Sequence, residues 1–136
     1  MKNNNTHDAN AFMSLAKRDL NNAKRFIDIL KVEADEGLVS ALCFYLSQST
    51  EKVIKASLLS LNPTKISYSH NITKLILAFE DLGYKVPTLI DENCSILEDW
   101  AISSRYNINF KCDLDLAIKI EEVLSDWINN IESLDY

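Results

Sequence analysis

Two short stretches and one helix hold the residues with chemistry to offer. The stretch "SYSHNITKL" sets His70 at the start of an expected helix, with Lys74 one turn on. Backbone N–H groups at such a start have no helical partner, and the site favours anions. The stretch "WAISSRYN" ends another expected helix on Arg105 and Tyr106. A guanidinium grips phosphate or carboxylate through two parallel hydrogen bonds, and an aromatic ring beside it can pack or stack. The third group is Gln48, Glu51, Lys52 and Lys55, a polar stripe inside the apolar run "FYLSQSTEKVIKASLLSL". Each also has an ordinary structural duty. His70 can cap its helix, Arg105 can complement a helix C-terminus, and Glu51–Lys55 is an i,i+4 pair in the favourable order.

The rest of the sequence removes many alternatives. Two glycines cannot build a phosphate-cradling glycine-rich loop, and neither G-x-x-x-x-G-K-[ST] nor G-x-G-x-x-G occurs. Two histidines and no Cys/His cluster give no expectation of a metal site, and no cofactor is expected. Glu121 and Glu122 are neighbours in sequence and point apart, as on a solvated helix face. The three cysteines, Cys43, Cys94 and Cys112, form no C-x-x-C pair. They fit reduced, buried thiols and a cytoplasmic location. The polar N-terminus has no signal-peptide character, and no segment is apolar enough to span a bilayer.

The net charge of −6 is unevenly spread. Up to residue 51 there are six basic and seven acidic groups. From 52 to 90 there are five lysines against two acids, and from 91 onward three basic groups against eleven acids. No Asp or Glu lies between Lys52 and Phe79. The overall charge argues against general nucleic-acid binding, while this stretch could hold a phosphate locally. Solvated lysines, or lysines paired with the acidic C-terminal helix or a second subunit, are the plainer explanation.

Positioning these residues requires long helices. Scarce Gly and Pro argue against a turn-rich fold. Apolar spacings of three and four predict helices over about 8–32, 38–61, 71–82, 88–104 and from about 113 onward. Asn5 or Thr6 is expected to cap the first, and Gly37 to mark the break before the second. Asn62-Pro63 should stop the second, with a loop over 64–70. Gly83 should end the third, and Thr88 with Asp91 should form a capping box for the fourth. The second helix is apolar around most of its circumference and should be central. Its polar arc, interrupted by Phe44 and Leu59, should face solvent, a ligand or a second subunit. The expected architecture is all-α: one antiparallel, up-and-down bundle of four to five helices, with its core over about 8–133 and a loose segment over 1–7.

Taken together, these stretches resemble the HEPN domain family. "LAKRDLNNAKRF" resembles its opening helix pattern A-x-x-D-L-x-x-A. Phe44, Gln48, Glu51, Lys52, Lys55, Ala56 and Leu58 match F-x-x-Q-x-x-E-K-x-x-K-A-x-L. His70, Asn71, Ile72 and Leu75 match H-[DN]-[IL]-x-x-L. Arg105 and Tyr106 match an R-Y-P element, with Asn107 in place of Pro. The resemblance implies a helical bundle, a homodimer packed along the second and fourth helices, and a cleft for a nucleotide or RNA ligand. It also implies a nucleotidyltransferase partner, as in toxin–antitoxin pairs. Catalytic members are metal-independent ribonucleases with R-x4–6-H. Here the corresponding positions after Arg105 hold Phe110, Lys111 and Cys112, none of them His.

The leading expectation is therefore a dimeric binding module without catalysis of its own. Gln48, Lys52, Lys55, His70, Lys74, Arg105 and Tyr106 are its candidate ligand-binding residues. One alternative is a ribonuclease toxin using Arg105 and His70 in a rearranged site. Another is a purely structural dimeric interaction module.

Overall fold

The computed structural model describes residues 4–61 and 70–133. Among these residues there are six helices and no strand. They are α1 (Asn4–Leu30), α2 (Glu36–Leu61), α3 (Ile72–Asp81), α4 (Thr88–Glu92), α5 (Cys94–Tyr106) and α6 (Leu114–Ser133). The fold is an all-α bundle in which α2 packs against α1, α3, α5 and α6.

α2 is central because its sequence is apolar or small on nearly every side. It buries Leu42, Cys43, Leu46, Val53, Ile54 and Leu58 together with Ser47, Ser49 and Thr50. Its small residues let neighbours approach closely. Ser49 Oγ donates to the Ala16 carbonyl of α1 at 2.9 Å, beside the stripe of Ala16, Leu20, Ala23 and Ile27 that α1 buries. α6 closes the bundle with Ala117, Ile120, Leu124 and Ile128, and Trp127 meets Phe79 edge-on at 6.4 Å between centroids. No helix of the described residues is long and apolar enough to cross a membrane.

Helix ends follow local chemistry, with several departures from expectation. α1 already runs at Asn4, so Asn5 and Thr6 lie inside it rather than capping it. Asp35 Oδ1 accepts from the Gly37 and Leu38 amides at 2.9 and 3.2 Å. This cap draws Gly37, expected as the break, into the first turn of α2. α3 ends as predicted. Gly83 takes φ 89°, the Gly83 and Tyr84 amides donate to the Glu80 and Phe79 carbonyls, and the Tyr84 ring stacks on Phe79. That is a Schellman motif with its hydrophobic contact, and only glycine takes this φ without strain.

The expected capping box does not form. Pro87, with φ −54°, is the N-cap of α4, and no side chain among the described residues caps that end. The fourth predicted helix also divides into α4 and α5 at Asn93, which raises the helix count. Asn93 takes φ −116° and ψ 20°, and its Nδ2 donates to the Leu89 carbonyl at 2.8 Å. The Asn62-Pro63 stop and the loop expected over 64–70, His70 excepted, lie outside the described residues.

Candidate functional site

α2 and α5 lie side by side, and each contributes one wall of a cavity of about 510 Å³. Phe44, Gln48 and Glu51 line it from α2, at helical spacings of four and three. Glu98, Ala101, Ile102 and Arg105 line it from α5 at spacings of three, one and three. His70 and Asn71 close it at the start of α3.

The polar arc of α2 does not lie open, as the sequence pattern suggests. It divides between two neighbours. Lys52 turns to α1, where its Nζ meets Asp19 Oδ2 at 2.5 Å. Glu51 and Lys55 face the other way, each with a side chain only 6% exposed, and Lys55 Nζ donates to Glu51 Oε2 at 2.9 Å. His70 joins them. Its Nδ1 lies 2.9 Å from Glu51 Oε2 and 3.3 Å from Lys55 Nζ, although its side chain is 82% exposed. With Nδ1 against the carboxylate, Nε2 is the ring nitrogen left for solvent or ligand. Burial of two charges is costly, and close pairing with a further polar contact is what offsets it.

Arg105 sits on the opposite wall. Its Nε donates to the Ala101 carbonyl at 2.9 Å, one turn back along α5. Its guanidinium carbon lies 5.0 Å from the ring centroids of both Phe44 and Tyr106. These contacts orient the fork beside the cavity. Tyr106 itself is 72% exposed, next to Ile102 and the almost fully exposed Ile108. With Arg105 it lines a second cavity of about 320 Å³ toward the start of α2.

The start of α3 is not the open anion site that its sequence suggests. Glu98 Oε1 accepts from the Thr73 amide at 2.6 Å, and Asn71 Oδ1 accepts from the Lys74 amide at 2.9 Å. A carboxylate of the protein thus stands where a ligand anion would be favoured.

Of the seven candidate residues, Gln48, His70 and Arg105 come together on the cavity lining. Lys55 stands behind it through Glu51 and His70, Tyr106 flanks it through Arg105, Lys52 is tied to Asp19, and Lys74 is exposed on α3 outside the lining. Phe44, Glu51, Asn71, Glu98, Ala101 and Ile102 also line the cavity and were not among the candidates. The spacing of Glu98, Ala101, Ile102 and Arg105 along one face of α5 was the available signal for the first three of these four.

The chain belongs to the HEPN domain family, whose pattern it matches over residues 16–133. No curated protein and no solved structure matches it. Membership gives a nucleotide- or RNA-related helical module as the general character of the chain.

Proposed function

We propose that this chain is a single-domain HEPN module that dimerises and holds the phosphate-bearing part of a nucleotide or RNA in the α2–α3–α5 cavity, without cleaving it. The observation that carries this reading is Arg105, a guanidinium oriented by Phe44, Tyr106 and the Ala101 carbonyl on a cavity that also contains His70. Arg105 supplies the paired donors for phosphate. His70 supplies a further donor, Gln48 offers amide contacts, and Phe44 with Ile102 offers an apolar wall for a base. Lys52 and Lys55 already have carboxylate partners and take no direct part. Exposed Ile102, Tyr106 and Ile108 beside the cavity suit a second copy of the chain, and a nucleotidyltransferase partner is the alternative occupant.

The test is calorimetry with nucleoside triphosphates and a short single-stranded RNA, at one salt concentration. Binding by the wild type and a loss of roughly 10- to 100-fold in Arg105→Ala are expected, the range for a charge-assisted hydrogen bond. Unchanged affinity in the variant, or no binding by the wild type, refutes the proposal.

A second reading rests on a different observation. Glu51 holds His70 by Nδ1 at 2.9 Å, the arrangement that readies Nε2 as a general base. In a ribonuclease of this kind Nε2 takes the proton of a ribose 2′-hydroxyl, and Arg105 stabilises the phosphoryl charge. RNA cleavage in EDTA that is lost in both His70→Ala and Arg105→Ala would replace the binding reading with this one.

A further inference from the structure

Cys43 and Cys112 are 69 residues apart in sequence, yet their Sγ atoms lie 2.6 Å apart. We propose that these two cysteines form a reversible intramolecular disulfide when the chain meets a small-molecule disulfide such as oxidised glutathione. Cys43 is fully buried on α2. Cys112 is half-buried in the connection between α5 and α6, next to Asp113, which caps α6. The sulfurs are about half an ångström from the ~2.05 Å of a disulfide bond.

The two thiols have different roles. Cys43 S–H donates to Cys112 Sγ. That hydrogen bond holds the Cys112 thiol below the usual range, and it acts with burial to push Cys43 up. Cys112 is also the more accessible sulfur, so it reacts first. Its thiolate attacks one sulfur of the small-molecule disulfide and that S–S bond breaks. One reagent half leaves and takes up a proton, giving a mixed disulfide on Cys112. The Cys112 thiolate no longer holds the Cys43 proton, so Cys43 gives it up and attacks Cys112 Sγ. The second reagent half leaves as a thiol. Two cysteine thiols lose two electrons in total, and one reagent disulfide becomes two thiols. The bond joins the connection that follows Arg105 and Tyr106 to the α2 residue immediately before Phe44.

The test equilibrates the full chain in buffers of rising oxidised-to-reduced glutathione ratio, then alkylates it in denaturant and weighs it. The reduced chain takes three alkyl groups. The oxidised chain is expected to take one, on Cys94, with a Cys43–Cys112 linkage in the peptide map and a monomer band on a non-reducing gel. Cys112→Ser should retain its two thiols under the same buffers, and Cys94→Ser should bridge as the wild type does. Cys112→Ser is used because it replaces a half-buried residue, whereas Cys43 is fully buried. Three alkyl groups at every ratio, a linkage that includes Cys94, a stable mixed disulfide or an intermolecular bond would each overturn the proposal.

Discussion

Replacing Glu51 tests whether the buried charges of α2 form a unit. In Glu51→Leu the Lys55 ammonium, with its side chain 6% exposed, loses the carboxylate 2.9 Å away and keeps the His70 ring nitrogen at 3.3 Å and the Phe12 ring, 5.8 Å to its centroid. Breaking a buried pair from one side costs about 3–5 kcal/mol. For a domain of this size each kcal/mol moves the melting temperature by roughly 3–5 °C. Glu51→Leu should therefore melt roughly 10–20 °C below the wild type, as followed by circular dichroism at fixed protein concentration. Lys55→Met should cost less, because Glu51 keeps His70 Nδ1 at 2.9 Å. The double variant removes both charges, and water can serve the exposed His70. It should recover most of the loss and lie within about 1–2 kcal/mol of the wild type, since apolar residues often replace a buried pair at little cost. A double variant as unstable as the two single losses combined would refute the reasoning. The charges would then be hydrated separately rather than bound to each other.

Two further substitutions probe contacts at and behind the cavity. Glu98→Ala removes the carboxylate that accepts from the Thr73 amide, and should cost about 1 kcal/mol in urea unfolding, the usual value of a helix N-cap; a cost below the error of the extrapolation would mean that water replaces it fully. Ser47→Ala should stabilise the chain by about 1 kcal/mol in the same assay, because the Ser47 hydroxyl is buried with no hydrogen-bond partner among the described residues and alanine is the better helix former; a loss of stability would point to a partner for that hydroxyl.

Features written within one turn or one helix face were legible in the sequence. Gly83 ends α3 as its chemistry requires, although the cap at the other end is Asn71 and not His70, and the apolar circumference of α2 made it central. The all-α class and the family followed from the same patterns. Features that join distant residues were not legible. The acid-free run from Lys52 to Phe79 looked like a cationic patch, but the partner of Lys52 is Asp19, 33 residues earlier on α1. Likewise the anion at the start of α3 is Glu98, which lies 25 residues after Thr73 and carries no mark of that duty in its own helix. Asn93 was hidden for another reason. The apolar spacing continues across it from Leu89 to Leu97, so periodicity alone cannot register the interruption. Within the site, Arg105 and His70 stood out by residue type, whereas Ala101 and Ile102 belong to it only because α5 turns that face toward α2.

The carboxylate on α3 also bears on the order in which the molecule assembles. A ten-residue helix is too short to persist alone in water, because the cost of its first turn is not recovered over so few residues. One of the amides in that first turn finds its acceptor on α5, which leaves the ribosome later than α3 does. A nascent α3 is thus an unfinished helix that waits for a piece still to be synthesised. The last acceptor of its first turn arrives only when α5 docks beside α2 and brings Glu98 and Arg105 into place together, whereas His70 already has its partners on α2.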